Sequence, residues 1–350
     1  MKHAFSRLFL GIILLFITSR SYGDRDRIIA TGQQPVISTD NNGVIRIVYG
    51  QQDKIFCSTS VDKGITFSAP VIVAQVKDMH LGMSRGPQIA SSAKWSVITA
   101  MDKAGDIHWF KLDHSSVEWK AMGLVNDTKG SAPEGLMSIA ADNKDNFYSV
   151  WLDIRTGKHN QVYFSSLSAQ PGKWTKNILA YQSPDGHVCE CCKPPITVEG
   201  TRVVIMFRNW LNSSRDLYLV KSDVGKSFST AQKLGINTWK LNGCPMDGGA
   251  IKTDRLSGIH TTWQRQGTVY FCKPGEPEVT IGKGRNCDLS GTASNTVITY
   301  QDGDNLKATS LLNNKTVNVG KGGFLKSVLL SDNRTLYVWE QANQIKYKKI

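Results

Sequence analysis

The sequence predicts an all-β fold, a single β-propeller of four-stranded antiparallel blades, from three observations. Short apolar runs alternate with polar residues and are punctuated by Gly, Asp and Asn. Almost no amphipathic helical stretch follows the first residues. A unit reading strand, polar loop, strand, tight turn also recurs: its clearest copy is VVIMFRNWLNSSRDLYLVKSDVGKSF at 203–228, with looser copies at 54–67, 147–166 and 258–275.

In chain order, the first copy places strands near Pro35 to Ser38, Val44 to Tyr49, Ile55 to Ser60 and Pro70 to Ala74. Later copies begin near Gln88, Met137, Ile196, Ala250, Asp288 and Leu325, giving seven units of about 47 residues, the size of a four-stranded propeller blade. The last copy holds only three strands, near Leu325 to Leu330, Thr335 to Trp339 and Gln344 to Lys348. The leading segment Asp26 to Thr31 is expected to supply its fourth strand and close the ring, leaving no open sheet edge. No linker or shift in composition divides the chain, so residues 24–350 are read as one domain.

Residues 1–23 read as a secretory signal: Lys2, His3 and Arg7 precede the apolar run Leu8 to Ile17, and Ser21-Tyr22-Gly23 offers small residues at a cleavage site. The run is too short to span a bilayer, which takes about 20 residues. A secreted or periplasmic protein is expected. The chain carries a formal charge of +13 and stays basic without the leader, which favours anionic partners. An anionic glycan or glycoprotein is the expected partner of a monomer, with no nucleic acid and no membrane span. The tryptophans, spaced about once per unit, read as packing between blades rather than as a base-stacking surface. Trp210, in a polar loop, is kept as a sugar-stacking candidate.

At Ser60-Val61-Asp62-Lys63-Gly64-Ile65-Thr66-Phe67 the Asp carboxylate can accept backbone N–H groups, Gly64 can take positive φ and Phe67 can pack beneath the hairpin. This segment resembles the Asp-box, or BNR, repeat of the sialidase superfamily of propellers, and 221–228 is a weaker match. The resemblance implies six blades as the alternative to the seven counted. It also implies arginines that grip a carboxylate, a Tyr nucleophile assisted by Glu, and an Asp acid/base. Carried over, Arg85, Arg208 and Arg215 are the arginines, Glu134 the assisting carboxylate, Asp153 or Asp247 the acid and Tyr300 the nucleophile; Ser84-Arg85-Gly86-Pro87 is similar to the family's Arg-Ile-Pro motif. The same arginines could instead tie blades together by pairing with Asp153, Asp216 or Asp247.

These residues fall in the blade-to-blade crossovers and the loops between second and third strands, which emerge on one face. That rim also collects Met79, His80, Met83, His187, Cys189, Cys191, Cys192, Cys244, Met246 and Cys287. Thiolate, thioether and imidazole suit copper or zinc, with His187, Cys189, Cys191, Cys192 and Cys244 as ligands. In an oxidising compartment, a disulfide joining one of Cys189, Cys191 or Cys192 to Cys244 or Cys287 is favoured over a metal site. Cys57 and Cys272, on equivalent third strands, are expected buried and unpaired. Two functions follow: a sialidase-like propeller that recognises an anionic glycan, with its hydrolysis left open, or a non-catalytic envelope- or partner-binding propeller with a disulfide-braced or metal-binding rim.

Overall fold

The computed structural model describes residues 26–168, 172–223, 225–254, 258–291 and 295–350. The proposed leader therefore lies outside the described residues. Seven four-stranded antiparallel sheets are present, each in sequential order except the last. The first blade comprises Gln33–Thr39, Ile45–Gln51, Lys54–Ser60 and Val71–Gln75. The innermost strands of the next five are Gln88–Ser91, Met137–Ala141, Ile196–Glu199, Ala250–Thr253 and Arg285–Ser290. Each packs on the next, and the seventh, Gly323–Leu329, packs back on the first. The ring is a closed propeller of seven blades rather than six.

Closure is made by Arg27–Thr31, which pairs antiparallel with Gln344–Lys349 and completes the sheet of Gly323–Leu329 and Thr335–Gln341. The expected strand starts at Pro35, Asp288 and Leu325 fall two or three residues late. In all three strands a register shift interrupts the ladder near the start, between Gln33 and Val36, Arg285 and Asp288, and Gly323 and Lys326. A bulge breaks the two-residue alternation on which a strand is recognised.

Second strands are buried almost throughout, as in Ile45–Gln51 and Phe147–Asp153, because both faces are covered by neighbouring blades. The core is accordingly a set of inter-blade clusters. Ile45, Ile47 and Tyr49 meet Leu336, Val338 and Tyr347 across the closing seam, and Met206, Leu217 and Leu219 meet Ile259 and Trp263 between the fourth and fifth blades. Trp109, Trp151, Trp263 and Trp339 are buried in such seams. Among the described residues no helix is long and apolar enough to cross a membrane.

The turn after Lys54–Ser60 is locked by one carboxylate. Asp62 accepts hydrogen bonds from the Thr66 hydroxyl at 2.6 Å, the Ser60 hydroxyl at 2.7 Å, and the backbone N–H groups of Thr66 and Ile65. Gly64 turns with φ of +76°, where a Cβ would also press on Leu336 at 3.0 Å. Phe67 meets Tyr347 edge-on at 4.9 Å, while Lys349 donates to the Lys63 carbonyl at 2.7 Å. The turn thus docks on the closing blade. The second turn of this kind, 221–228, includes Val224, which lies outside the described residues.

Partial burial alone would raise the Asp62 pKa, but the hydrogen bonds from Thr66, Ser60 and Ile65 prevail and lower it to about 2. Its stabilisation is therefore complete above the unfolded value of about 4 and is lost as pH falls through about 2. Asp62→Ala should cost about 1–2 kcal/mol at pH 7 by urea unfolding, with the gap to the parent narrowing between pH 4 and pH 2. A gap that does not narrow would show that the carboxylate charge does not hold the turn.

Candidate functional site: the crossover mouth

The crossovers and inner loops meet on one face, around a narrow axial cavity of about 50 Å³ lined by Gln34, Ser84, Gln88, Cys191, Lys193, Met246, Asp247, Asn286, Cys287 and Lys326, among others. That volume holds about three or four water molecules, which is also the size of a carboxylate or sulfate group. A sugar ring would have to sit outside it.

The cavity wall is basic. Lys193, just before the innermost strand of the fourth blade, reaches across the axis to donate to Gln88 Oε1 at 3.3 Å. Lys326 pairs with Asp288 at 3.2 Å, and Lys252 lies half-buried near the same carboxylate. Burial, then repulsion from Lys326, outweighs the pull of Asp288 and lowers the Lys193 pKa to about 7; burial also lowers that of Lys252. The Asp247 carboxylate is occupied by the backbone N–H groups of Gly249 at 3.0 Å and Asn286 at 2.8 Å. Gln34 Nε2 is buried in this wall without a hydrogen-bond partner. Gln34 Nε2 thus faces a basic space without an acceptor of its own, while Lys193 and Lys326 have Gln88 and Asp288 as theirs.

The arginines occupy the same face but do not converge on one point. Arg208 is 1% exposed and donates to three backbone carbonyls: Asp247 from Nε at 3.0 Å, Arg215 from Nη1 at 2.7 Å and Gln264 from Nη2 at 3.0 Å. It braces the fourth blade to the fifth. Arg85 donates to the Glu134 carbonyl and pairs with its carboxylate at 3.3 Å, joining the crossovers into the second and third blades. Arg215 lies 4.4 Å over the Trp210 ring and donates to Cys189 Sγ at 3.1 Å. Asp153 is fully buried and accepts from Ser131 Oγ at 2.7 Å, Trp151 Nε1 at 2.8 Å and Arg155 Nε at 2.9 Å. Tyr300 is packed between the fifth and sixth blades with Val269, Cys287 and Ile298. Among the described residues no Tyr–Glu pair lies beneath a cluster of arginines; Arg85 and Arg208 do tie blades together, but through Glu134 and backbone carbonyls rather than through the carboxylates of Asp153, Asp216 or Asp247.

Sulfur converges more tightly. Cys191 is disulfide-bonded to Cys244, and Cys189 Sγ stands 3.7 Å from Cys191 Sγ and 3.4 Å from Cys192 Sγ. The two crossovers can touch because Gly248 has no side chain: a Cβ there would lie 1.9 Å from the Lys193 carbonyl oxygen. The hydrogen bond shared with Cys192 lowers the Cys189 pKa against the opposing effect of burial, helped by the charges of Arg215 and Arg208. Burial and its thiol neighbour push Cys192 the other way. Cys57 and Cys272 are buried and unpaired, as expected, and so is Cys287.

His187 does not join the sulfurs. Its Nδ1 contacts the Val188 carbonyl at 2.8 Å and its ring stacks between His159 at 5.1 Å and Trp210 at 5.8 Å. Trp210 thereby contacts both His187 and Arg215 rather than standing free. His80 is tied to the Pro133 carbonyl at 2.9 Å, Met79 is buried and Met83 is exposed on the rim. The lysines and Gln34 were not singled out from the sequence, because each is a lone polar residue. The available signal was their position, at or beside innermost strands where apolar residues are the rule.

The fold and mouth define a seven-bladed propeller with a polar axial pocket. No protein-family model and no curated protein matches the sequence. Among solved structures, the chain is similar to the BP39L lectin from Burkholderia pseudomallei, with 10% identity, a TM-score of 0.63 and coverage of 91% of this chain and 96% of that one. A polysaccharide lyase of family PL25, an ulvan lyase, aligns with 9% identity, a TM-score of 0.55 and coverage of 92% and 95%. The microbial sialidase Hz136 aligns with 12% identity and a TM-score of 0.50 over 91% of this chain, which spans 65% of that sialidase. At these identities the likeness is one of fold.

Replacing Arg208 by Leu strands three buried carbonyls and should cost about 2–4 kcal/mol in urea unfolding. A variant within about 0.5 kcal/mol of the parent would contradict its role as a brace.

Proposed function

We propose that this protein is a non-catalytic glycan-binding propeller whose axial mouth receives the acidic substituent, a carboxylate or sulfate, of a sugar seated on the crossover face. The observation that carries this reading is the cavity itself, with Lys193, Lys252 and Lys326 gathered around Asp288 and the Gln34 amide N–H lacking an acceptor. An anion would pair with the lysines and accept from Gln34 in a place where water competes poorly. The basic balance of the chain favours its approach.

Hydrolysis of the sialidase kind fits less well. Arg208 and Arg85 are engaged by the protein, and Tyr300 is buried between blades. Binding is the reading the geometry favours. The Asp62 turn supports taking 60–67 as an Asp box, and with it kinship to sialidase-superfamily propellers in which such turns are structural. The fold neighbours are compatible with glycan recognition: two are lectins, one of them solved with Fucα1-6GlcNAc, and the ulvan lyase has been solved bound to -[GlcA(1-4)Rha3S]-, a glycan both carboxylated and sulfated. The reading takes residues 1–23 as an export signal and the protein as a secreted or periplasmic monomer.

The test is an array of sulfated, uronic-acid and sialylated glycans beside their neutral counterparts, with a fluorogenic sialoside assay run in parallel. Acidic glycans should bind, neutral ones should not, and no sialoside should turn over. Lys326→Met should weaken binding about tenfold or more, as expected for loss of one charge-assisted hydrogen bond. Because Lys193 is protonated below about 7 and neutral above it, affinity should be higher at pH 6 than at pH 8. Equal binding of neutral glycans, or affinity that rises with pH, would overturn the axial assignment.

A further inference from the structure

Beside the axial cavity, four cysteines from two crossovers crowd into one place that glycan recognition does not use. Cys189, Cys191 and Cys192 lie between the strands Ile178–Tyr181 and Ile196–Glu199, and Cys244 lies ahead of Ala250–Thr253. The sulfurs of the first three are 3.4, 3.7 and 3.9 Å apart. Sulfurs bound tetrahedrally to zinc at about 2.3 Å stand about 3.7 Å from one another. The triangle of Cys189, Cys191 and Cys192 therefore has the dimensions of one face of a zinc–thiolate tetrahedron, and Cys244, bonded to Cys191, holds a fourth sulfur beside one of its corners.

The surroundings suit an anionic metal–thiolate complex. Arg215 donates to Cys189 Sγ at 3.1 Å, the Arg208 guanidinium is close enough to act on both Cys189 and Cys192, and the backbone N–H of Asp247 faces Cys192. Donors of this kind orient thiolates and offset their charge. Cys189 and Cys192 are buried, so solvent does not compete for the sulfurs.

We propose that Cys189, Cys191, Cys192 and Cys244 form a zinc(II) site that is closed while Cys191 and Cys244 are joined and is completed when a dithiol reduces that bond. In the reduction the dithiol gives two electrons and two protons and leaves as its own disulfide, while Cys191 and Cys244 end as thiols. On metal binding each ligating thiol releases its proton to the medium as the sulfur–zinc bond forms. The site is independent of the glycan reading, which concerns the lysines of the axial wall.

The experiment uses the full-length exported protein, reduced with dithiothreitol and desalted without oxygen, with cobalt(II) as a spectroscopic probe displaced by zinc(II). Reduced protein should take up one cobalt per chain, with thiolate-to-metal charge-transfer bands and the intense d–d bands of tetrahedral cobalt, and one zinc should abolish both. Oxidised protein should show neither. Cys192→Ser and Cys244→Ser should each weaken uptake at least tenfold, whereas Cys57→Ser and Cys272→Ser should leave it unchanged.

A readout on the unaltered chain guards against variants that fail to fold: zinc should protect four of the seven thiols of the reduced protein from alkylation. Absence of the cobalt bands in reduced protein, the same bands in oxidised protein or in Cys192→Ser, or zinc protection of none of the thiols would each overturn the proposal. Glycan binding measured on the same preparations reports separately on the axial wall.

Discussion

The pairing of Arg27–Thr31 with Gln344–Lys349 is the contact on which the rest of the structure depends. Without it the seventh blade has three strands and the ring has an open edge; with it every sheet is completed, and the innermost strands form an uninterrupted circle. A circle fixes where the crossovers point, so segments more than a hundred residues apart in sequence, such as Gln88 and Lys193, come within hydrogen-bonding distance. The closing seam is reinforced from outside by the Asp62 turn, whose neighbours Phe67 and Lys63 lean on Tyr347 and Lys349. One short strand and one turn reinforce the closing seam, where Ile45, Ile47 and Tyr49 pack on Leu336, Val338 and Tyr347, in a core that is a series of clusters between neighbouring blades.

Buried polar groups at the mouth divide into two kinds. Arg208, Arg85 and Asp153 are satisfied by the protein itself, and their satisfaction ties one blade to another. Lys193, Lys252, Lys326 and Gln34 are held in place with less compensation, as the lowered pKa of Lys193 and the orphaned amide of Gln34 indicate. Groups of the first kind build the rim. Groups of the second kind are the ones offered to a ligand: Gln34 Nε2 lacks an acceptor, and Lys193 and Lys326, with one acceptor each, have further N–H donors to give.

The blade architecture was readable in the residues because a half-buried or fully buried strand imposes its own pattern, and because a propeller repeats that pattern. The incomplete last unit together with DRIIAT at 26–31 pointed to the closing strand, and the crossover cysteines pointed to a pairing that the structure makes between Cys191 and Cys244. The roles of the arginines were less legible. Arg208 looks the same in sequence whether its guanidinium faces a ligand or three backbone carbonyls, since carbonyls carry no residue-type signature. Lys193, Lys252 and Lys326 are isolated in sequence and acquire meaning only when the ring brings their ends to one axis. His187, adjacent to the cysteine run, was grouped with the sulfurs by proximity, yet its ring lies against His159 and Trp210.

Ring closure is tested most directly by a chain that begins at Gln33 and so lacks the closing strand. Amide hydrogen exchange of Gln344–Lys349 and of the crossover carrying Lys193 should rise together, with self-association through the newly bared edge. A chain that keeps native protection at both places and remains a monomer would contradict the account, because the mouth would then hold its shape without the ring being closed.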